Sequence, residues 1–373
     1  MPPVVLAPDS FKGSLHAAGA AAALRDGWAS VDPGRDLVLL PMADGGEGTL
    51  DAFAAAVPGA RRVPVRVTGP DGAEVAASWL LLPPSDGAPA GTAVVELAST
   101  SGIELLGSPP RLRPLDADTR GFGEAIAAAL AASVSRLVLG IGSSASTDGG
   151  AGLLTALGAR FTDAAGRPIA PGGRGLAAVA AADLSGLAAL PAGGVTVLTD
   201  VTNPLRGPRG AAAVFGPQKG AAPADVAVLD AGLGRLAELL DADADAPGSG
   251  AAGGAGFGLL AWGARLVPGA DAVAELIGLP EAVAEASVVV TGEGSFDGQS
   301  VDGKAPGLVR ALAQASGVPV ALVAGRIGPE ADVDGFAAAV SLTDLAGSSA
   351  AALAEPERWL FAAGAELARR FPR

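Results

Sequence analysis

The stretch Leu137–Gly152, LVLGIGSSASTDGGAG, decides how the rest of the chain is interpreted. Leu137–Leu139 has the short apolar pattern of a buried strand, the glycines after it allow a tight loop, and Gly149–Leu157 is typical of a helix. Backbone N–H groups in such a loop, followed by the positive end of a helix, can bind phosphate oxygens. The stretch therefore predicts an anion-binding loop between a strand and a helix.

Asp148 in this loop leaves two interpretations open. A carboxylate beside a phosphate site repels the phosphate unless a cation lies between them, so Asp148 indicates either bound Mg²⁺ or a catalytic proton acceptor. The structural alternative is that Asp148 or Thr147 caps the helix that follows.

Composition limits the chemistry that the chain can perform. Its 373 residues, 50% hydrophobic and 17% charged, predict a globular protein with room for two domains. The absence of cysteine and the single histidine exclude disulfides, thiol catalysis and metal sites built from several Cys or His ligands. Carboxylates, hydroxyls and lysines must supply the chemistry.

The net charge of −14 opposes binding to nucleic acid and to acidic membranes. No apolar run is long enough to span a membrane, and no basic-then-apolar signal pattern opens the chain. We therefore expect a cytoplasmic protein, a monomer or homodimer, whose partners are small molecules.

The order of apolar runs predicts the fold class. Strands followed by polar loops and helices open the chain, a β-rich stretch lies between about Arg62 and Glu96, and the strand–helix alternation returns near the C-terminus. The strands predicted for one sheet are Val4–Ala7, Leu37–Leu40 and Ser287–Val290, with Val318–Val323 and Ala337–Leu342 following. We expect an α/β protein with two α/β domains: a discontinuous Rossmann- or flavodoxin-like parallel-sheet domain, residues 1–64 and 286–373, and an inserted mixed α/β domain, residues 65–285. Ligands would bind in the cleft between them.

Polar side chains follow the first two predicted strands, at the edge where open α/β sheets bind ligands. Asp9, Ser10 and Lys12 lie in PDSFKGS after the first strand. Asp44 and Glu47 flank two glycines after the second, which predicts a metal-binding or proton-transfer pair, with capping of the next helix as the alternative. The chain has only three lysines, Lys12, Lys219 and Lys304, and their placement in loop-like motifs favours a need for a compact ammonium.

A second polar loop follows the predicted strand Val195–Thr199. We expect Asp200 to bind Mg²⁺ or accept the substrate proton and Asn203 to orient the substrate, both facing Asp148 and Ser144 across one pocket. An Asx turn before a proline explains Asn203 equally well. The glycine-rich segment at 248–258 is predicted to be a lid, a backbone contact to an anion, or a close helix approach.

Five motifs in order carry a family resemblance: APDSFKGSL, PMADGGEGT, GIGSSASTDGGAGLLTALGARF, LTDVTNPLRGPRGAAAVFGPQKGA and VVTGEGSFDGQSVDGKAP. Together they resemble the type I glycerate kinase family over essentially the whole chain. The resemblance implies phosphorylation of D-glycerate by ATP with Mg²⁺, giving 2-phosphoglycerate, by a two-domain α/β protein. The string GIGSSAS also resembles the phosphate loop of the GHMP kinases, but that family has a proline upstream of the loop, which Arg136–Leu139 lacks, and its motif does not account for PDSFKGS or TGEGSFDGQ.

A kinase needs charge neutralisation, positioning and a proton acceptor, and the candidate residues divide accordingly. The expected catalytic residues are Lys12, Asp44, Asp148 and Asp200. The expected nucleotide contacts are Ser143, Ser144, Ser146, Lys219, Glu293 and Asp297. The expected substrate contacts are Asp9, Ser10, Asn203, Arg206 and Arg326, and the expected Mg²⁺ ligands are Asp44, Glu47 and Asp200. Transfer to the 3-hydroxyl, a sensor of a sugar-acid phosphate without turnover, and a carboxylate-based hydrolase remain as alternatives.

Overall fold

The computed structural model describes residues 1–297 and 305–372 and divides the chain into two compact units. The first unit comprises Met1–Asp44, Asp51–Pro58 and Ala270–Arg373, and the second comprises Gly45–Leu50 and Gly59–Gly269. Among the described residues, no helix has both the length and the apolar character that a membrane span requires.

Strands and helices alternate through much of the described chain. The strands are β1 (Val4–Pro8), β2 (Leu37–Leu39), β3 (Arg61–Thr68), β4 (Glu74–Leu82), β5 (Thr92–Glu96), β6 (Arg136–Gly140), β7 (Arg160–Thr162), β8 (Ala181–Asp183), β9 (Val195–Leu198), β10 (Arg265–Val267), β11 (Val288–Phe296), β12 (Val320–Ile327) and β13 (Ala338–Ser341). The α-helices are α1 (Ala17–Val31), α2 (Thr49–Ala56), α3 (Ala98–Ser101), α4 (Arg120–Ala131), α5 (Ala151–Ala156), α6 (Gly172–Leu176), α7 (Ala211–Phe215), α8 (Pro223–Leu239), α9 (Ala251–Trp262), α10 (Gly269–Leu276), α11 (Leu279–Glu285), α12 (Ala305–Ala315), α13 (Leu342–Ala346), α14 (Ser349–Ala354) and α15 (Pro356–Arg370).

The first unit contains a parallel five-stranded sheet in the order β13-β12-β11-β1-β2. Val4 pairs with Leu37 on one side and with Val288 on the other, which confirms that the three strands predicted for one sheet share it. The side chains of β1 are fully buried, as expected for a continuous apolar strand in a parallel sheet.

The order in which strands join this sheet reverses between β1 and β11. β2 follows β1 in the chain and lies on one side of it, whereas β11, β12 and β13 extend the sheet on the other side. In open α/β sheets such a reversal leaves a crevice outside the carboxyl ends of the two strands, and ligands bind there. The fold therefore predicts a ligand-binding site among the residues that follow β1 and those at the end of β11.

Helices α1 and α15 pack against each other through glycines. A Cβ atom at Gly27 would lie 2.0 Å from the carbonyl oxygen of Phe361, and one at Gly364 would lie 2.3 Å from that of Leu24. Since no side chain fits at either position, the two backbones approach closely. Trp28 and Leu360 are buried in the core that this contact helps to enclose.

The second unit contains a mixed six-stranded sheet in the order β10-β9-β6-β5-β4-β3. β5, β6, β9 and β10 are parallel, whereas β3 and β4 form an antiparallel hairpin at one edge. The hairpin turns at the GPDG sequence, as predicted, with Gly72 at φ 86° and its N–H donating to the carbonyl of Gly69. The predicted class of two α/β domains, one discontinuous, is confirmed.

The predicted domain boundaries need correction at both ends of the insertion. Pro64 lies in the middle of β3, which pairs with β4 along its whole length, so the chain cannot change unit there. The second unit resumes at Gly59 instead. At the other end, α10 from Ala270 onward and α11 belong to the first unit, 16 residues before the predicted start at 286.

Candidate active site

Three carboxylates of the first unit interact where β1 and β11 end. We call Asp9, Asp44 and Glu293 the acidic cluster. Asp9 directly follows β1, its backbone N–H donates to the carbonyl of Gly292 at 2.7 Å, and its Oδ1 accepts the N–H of Ser10 at 2.6 Å. Glu293 lies on β11 and is 9% exposed, while Asp44 follows β2. The structure thus brings together residues that the sequence separates by more than 280 positions.

The surroundings of the Asp9 carboxyl alter its acidity. Burial raises its pKa from 3.8 to about 7, and the charges of Asp44 and, more weakly, Glu293 act in the same direction. The Ser10 N–H and the Lys12 ammonium favour the ionised form and oppose the rise. A carboxylate that titrates near neutral pH is suited to accept a proton from a hydroxyl group. Sequence patterns assigned Asp9 to substrate contact and gave no indication of this acidity.

Lys12 supplies a positive charge to the acidic cluster. Its Nζ lies 3.9 Å from Asp44 Oδ2, and its side chain is 82% exposed, so the ammonium is accessible to a ligand. The loop that carries it is close to β11, because a Cβ atom at Gly294 would lie 3.1 Å from the Lys12 backbone nitrogen. This contact explains the glycine at position 294. The glycine at position 292 has a different reason, because a Cβ there would lie 2.0 Å from the carbonyl oxygen of Val323.

The acidic cluster offers the hard oxygen ligands that Mg²⁺ prefers. Among residues 1–297 and 305–372, no group of three or more His, Cys, Asp or Glu side chains is arranged to hold a metal ion alone. Mg²⁺ usually binds one or two protein carboxylates and completes its shell with substrate phosphates and water.

Two further candidates lie beside β11 on the β12 side. Arg326 is exposed, and its Nε donates to Ser295 Oγ at 3.2 Å, so it lies at the same end of the sheet. Asp297 is partly buried immediately after β11. The remainder of this motif, 298–304, including Lys304, lies outside the described residues.

The loop after β6 in the second unit directs two of its three candidate serines inward. Ser144 is 7% exposed and Ser146 is fully buried, whereas Ser143 is exposed with a left-handed φ of 59°. Lys219 Nζ donates to Ser144 Oγ at 2.7 Å and also to the carbonyl oxygen of Ser146. The side chains of Ser144 and Ser146 are therefore not displayed to a ligand in the way the sequence predicted.

Asp148 is a buried structural carboxylate. Its Oδ2 accepts the N–H of Thr119 at 3.0 Å, the hydroxyl of Thr119 at 2.8 Å and the N–H of Gly152 at 3.1 Å, and its Oδ1 accepts the N–H of Gly150 at 3.2 Å. These bonds tie the start of α5 to the start of α4. The capping alternative thus describes Asp148 better than an accessible metal ligand or proton acceptor.

The same bonds argue against a phosphate cradle at this loop. The carboxylate of Asp148 already occupies the N-terminal end of α5, which has only six residues. Elsewhere in the loop, the N–H groups of Gly142, Ala145 and Gly149 donate to backbone carbonyls. These three N–H groups are therefore engaged within the protein, and phosphate binding at this loop stays a prediction.

Lys219 is an unusual lysine because it is buried. Its side chain is 3% exposed on the one-turn 3₁₀ helix Pro217–Lys219, and burial lowers its pKa from 10.5 to about 7, against the opposing charge of Asp148. The sequence predicted Lys219 as a nucleotide contact and gave no indication that its side chain is buried.

The pKa of Lys219 predicts that stability rises with pH above neutrality. Between about pH 7 and 10.5 the unfolded chain binds a proton at Lys219 that the folded protein does not, so unfolding becomes less favourable as pH rises. We expect wild type to gain about 1–3 kcal/mol relative to Lys219→Met between pH 7 and 9.5, measured by urea unfolding. The chain has no Cys or Tyr, so few other groups titrate in this window. Parallel pH curves for the two proteins would contradict the assignment.

Asp118 is a polar residue of this region that the sequence patterns missed. It is 8% exposed, and burial, reinforced by the charge of Asp148, raises its pKa to about 6. Its Oδ1 accepts the N–H of Arg120 at 3.0 Å. The sequence DADTR before a helix is the only pattern that could have indicated it, and that pattern predicts a cap.

Asp200 and Asn203 of the second polar loop each bond a backbone group. Asp200 is exposed and its Oδ1 accepts the N–H of Gly269, the first residue of α10, at 2.7 Å. Asn203 Nδ2 donates to the carbonyl of Arg209 at 2.8 Å, a bond within its own loop. Asp148 and Ser144 are buried, so the pocket predicted to be shared by the four residues stays a prediction.

The remaining candidates of the second unit are exposed. Glu47 and Arg206 both have exposed side chains. The backbone near Glu47 rests on the end of β6, because the N–H of Gly142 donates to the carbonyl of Gly45 at 2.9 Å and a Cβ at Gly142 would lie 2.5 Å from Gly46 Cα. Close backbone approach explains these loop glycines.

The glycine-rich segment at the start of α9 is a close packing contact. Ala252, Gly253 and Gly254 have left-handed backbone angles, and a Cβ at Gly253 would lie 2.0 Å from the carbonyl oxygen of Ser146. The carbonyl of Gly253 accepts the N–H of Gly149 at 3.0 Å. Of the three predicted roles, close approach is the one that these contacts support.

Comparisons with known proteins agree on one family. The family model described as "Glycerate kinase family" matches residues 4–372. A glycerate kinase of Bacillus subtilis (strain 168) is 45% identical over 331 residues, covering 87% of this chain and 85% of the relative. A glycerate 2-kinase of Escherichia coli (strain K12) is 43% identical over 331 residues, with the same coverage. A solved glycerate kinase 2 structure from Salmonella typhimurium LT2 is similar with a TM-score of 0.84 and 40% identity, over 99% of this chain and 98% of that one.

Proposed function

The chain belongs to the glycerate kinase family, and we propose that it transfers the γ-phosphoryl group of ATP to the 2-hydroxyl of D-glycerate, with Mg²⁺. The observation that carries this proposal is the acidic cluster with Lys12, located where strand order reverses in a parallel sheet. The relative named glycerate 2-kinase supports the 2-hydroxyl as acceptor.

The reaction requires one proton acceptor and several positive charges. The hydroxyl oxygen of glycerate forms a bond to the γ-phosphorus, the bond from that phosphorus to the β–γ bridging oxygen breaks, and ADP leaves with the electron pair. Asp9 accepts the hydroxyl proton, because its carboxylate lies at the reversal of strand order beside an accessible cation. This assignment moves the base from Asp148 or Asp200 to Asp9.

Charge neutralisation comes from Lys12 and from the metal. Asp44 would hold Mg²⁺ together with nucleotide oxygens, and the bound ion would neutralise negative charge on the phosphates. The exposed Lys12 ammonium supplies a second positive charge beside Asp44, either to the transferring phosphoryl group or to the glycerate carboxylate.

Lys12→Ala is expected to lower kcat/KM about tenfold or more without unfolding the protein, because the side chain is exposed and contributes charge rather than packing. The measurement is steady-state kinetics with thermal unfolding of the same samples. Lys12→Arg is the matched control, since it keeps the charge and replaces only the compact ammonium. Near-normal turnover by folded Lys12→Ala would remove Lys12 from the site.

The activity itself is tested by ADP formation with purified protein, Mg²⁺ and D-glycerate, against L-glycerate and no acceptor. We expect turnover with D-glycerate that EDTA abolishes. Coupling the product to enolase, which consumes 2-phosphoglycerate and not 3-phosphoglycerate, identifies the hydroxyl that is phosphorylated. A product that reacts only after phosphoglycerate mutase is added would assign the 3-hydroxyl, and ADP formation without any acceptor would contradict the proposal.

A further inference from the structure

Arg326 lies on the same face of the first unit's sheet as Glu293 of the acidic cluster. It pairs with Ser295 across β11 and β12, and Glu293 lies two residues before Ser295 on β11. Paired residues of neighbouring parallel strands project from the same face, and residues two apart along a strand share that face. We propose that the Arg326 guanidinium binds the carboxylate of the acceptor and so restricts the enzyme to hydroxy acids. The inference rests on the proposed kinase function.

The base proposed for the reaction lies on this face too. Asp9 lies two residues beyond Ala7, whose partner on β11 lies two residues before Glu293. The N–H of Asp9 donates to the carbonyl of Gly292 at 2.7 Å and so continues the pairing of the two strands past the end of β1. Asp9, Glu293 and Arg326 therefore follow one face of one sheet, and all three belong to the first unit.

The spacing along this face suits a molecule of the size of glycerate. Strands lie about 4.8 Å apart and rise about 3.3 Å per residue, so two strand spacings and two residues place the Cα atoms of Asp9 and Arg326 about 12 Å apart. The carboxylate of glycerate is bonded to the carbon that carries the 2-hydroxyl. When Asp9 holds that hydroxyl, the carboxylate lies one carbon away, and the long arginine side chain spans the rest of the distance.

The backbone and the side chain of Arg326 are both held in position. A Cβ atom at Gly325 would lie 2.4 Å from the carbonyl oxygen of Gly294, so these glycines let the ends of β12 and β11 approach closely. The hydroxyl of Thr343, in α13, donates to the Gly325 carbonyl at 2.8 Å. In the side chain, Arg326 Nε donates to Ser295 Oγ at 3.2 Å, which orients the guanidinium. Such preorganisation reduces the entropy that is lost when a ligand binds.

The guanidinium can bind a carboxylate through two parallel hydrogen bonds. Its bond to Ser295 uses Nε, whereas Nη1 and Nη2 form a fork that matches the two oxygens of a carboxylate. The Ser295 hydroxyl is neutral, so this bond leaves the charge of the exposed Arg326 in place. By contrast, Arg25, Arg358 and Arg370 of the same unit each form an ion pair with a carboxylate within four residues of the chain. The charge of Arg326 is therefore available to an anionic ligand.

Lys12 and Arg326 take different parts of the reaction on this arrangement. Lys12 Nζ lies 3.9 Å from Oδ2 of Asp44, the carboxylate proposed to hold Mg²⁺ with nucleotide oxygens, which favours the transferring phosphoryl group as the ligand of Lys12. Asp44 follows β2 whereas Arg326 lies on β12, and β1 and β11 lie between these strands. A planar fork also suits a carboxylate better than a compact ammonium does.

Three variants test this assignment. Arg326→Met removes the charge and retains much of the length of the side chain, whereas Arg326→Lys keeps the charge without the fork. Because Arg326 is exposed, neither change should unfold the protein, which thermal unfolding checks. Arg25→Met is the matched control, since Arg25 is an arginine of the same unit whose charge is already paired with Asp26.

We expect Arg326→Met to lower kcat/KM for D-glycerate about 100-fold, because two charge-assisted hydrogen bonds are lost, and Arg326→Lys to lower it about tenfold. In Arg326→Met, KM for D-glycerate should rise about tenfold or more while KM for ATP stays within about twofold. Arg25→Met should stay within about twofold of wild type in every constant.

The neutral amide D-glyceramide separates recognition of the carboxylate from a general loss of activity. Wild type should prefer D-glycerate to D-glyceramide about 100-fold in kcat/KM, and Arg326→Met should reduce that preference about tenfold or more. A merely structural role would lower both rates equally and leave the preference unchanged, which would overturn the inference. A raised KM for ATP with an unchanged KM for D-glycerate would also overturn it, because Arg326 would then bind the nucleotide. A wild type that is inactive with D-glycerate would instead refute the proposed function.

Discussion

Asp9→Asn is expected to lower kcat by about 10²–10⁴-fold, the range for loss of a general base, while making the protein more stable at pH 8. Asparagine has nearly the same shape as aspartate but cannot accept the hydroxyl proton of glycerate. The stability gain follows because the wild-type carboxylate is ionised at pH 8 in a place where burial and Asp44 disfavour its charge. A catalytic group held where its charge is disfavoured costs stability, so replacing it is expected to lower kcat and raise the free energy of unfolding.

The pH dependence of this gain follows from the direction of the pKa change. The folded protein keeps a proton on Asp9 up to about pH 7, whereas the unfolded chain loses it near 3.8. Stability therefore falls as pH rises through this window, and the loss is complete above the folded pKa. We expect ionisation of Asp9 to lower the free energy of unfolding by about 1–3 kcal/mol across this window. This is less than the roughly 4 kcal/mol that the full difference in pKa implies, because the side chain is only partly buried.

The measurement is urea unfolding of metal-free wild type and Asp9→Asn at pH 5 and pH 8, alongside kcat with saturating substrates. The difference in unfolding free energy between the two proteins should be larger at pH 8. Asp36→Asn, an exposed carboxylate of the same unit, serves as control and should change neither quantity. Unchanged kcat in Asp9→Asn would return the base to Asp44 or Glu293.

The sequence predicted the position of Asp9 better than its role. The apolar run before it identified a strand, and the fold class placed its carboxyl end at a ligand-binding edge. Its acidity depends on burial and on charges at Asp44 and Glu293, which the fold brings near. A local pattern cannot report a contact made across most of the chain.

The loop after β6 shows a second limit of sequence interpretation. Strand β6, the tight loop and the helix after it were predicted correctly from periodicity and glycine content. The inward direction of the Ser144 side chain was not predicted, because its hydroxyl bonds Lys219, 75 positions further along the chain. The bonds of Asp148 could not be predicted for the same reason, because Thr119, its main hydrogen-bond partner, lies at the start of a different helix.

Gly253→Ala is expected to destabilise the protein by about 2–5 kcal/mol. The added Cβ would lie 2.0 Å from the carbonyl oxygen of Ser146 and 2.8 Å from Thr147 Cα, so backbone must move. Alanine would also be held at φ 69°, where an L-residue costs about 1–2 kcal/mol relative to glycine. Urea unfolding followed by circular dichroism measures the loss.

The neighbouring Ala252 provides the matched control with the opposite expected sign. It already has a left-handed φ of 53°, so Ala252→Gly relieves strain of about 1–2 kcal/mol and adds about 0.5–1 kcal/mol of chain entropy cost. The net result should be a change between about zero and 1.5 kcal/mol in favour of the folded state. If Gly253→Ala unfolded at the same urea concentration as wild type, the left-handed turn could not be packed against Ser146. The support that this turn gives to the loop carrying Ser143 would then have to come from Lys219 and Ser101 alone.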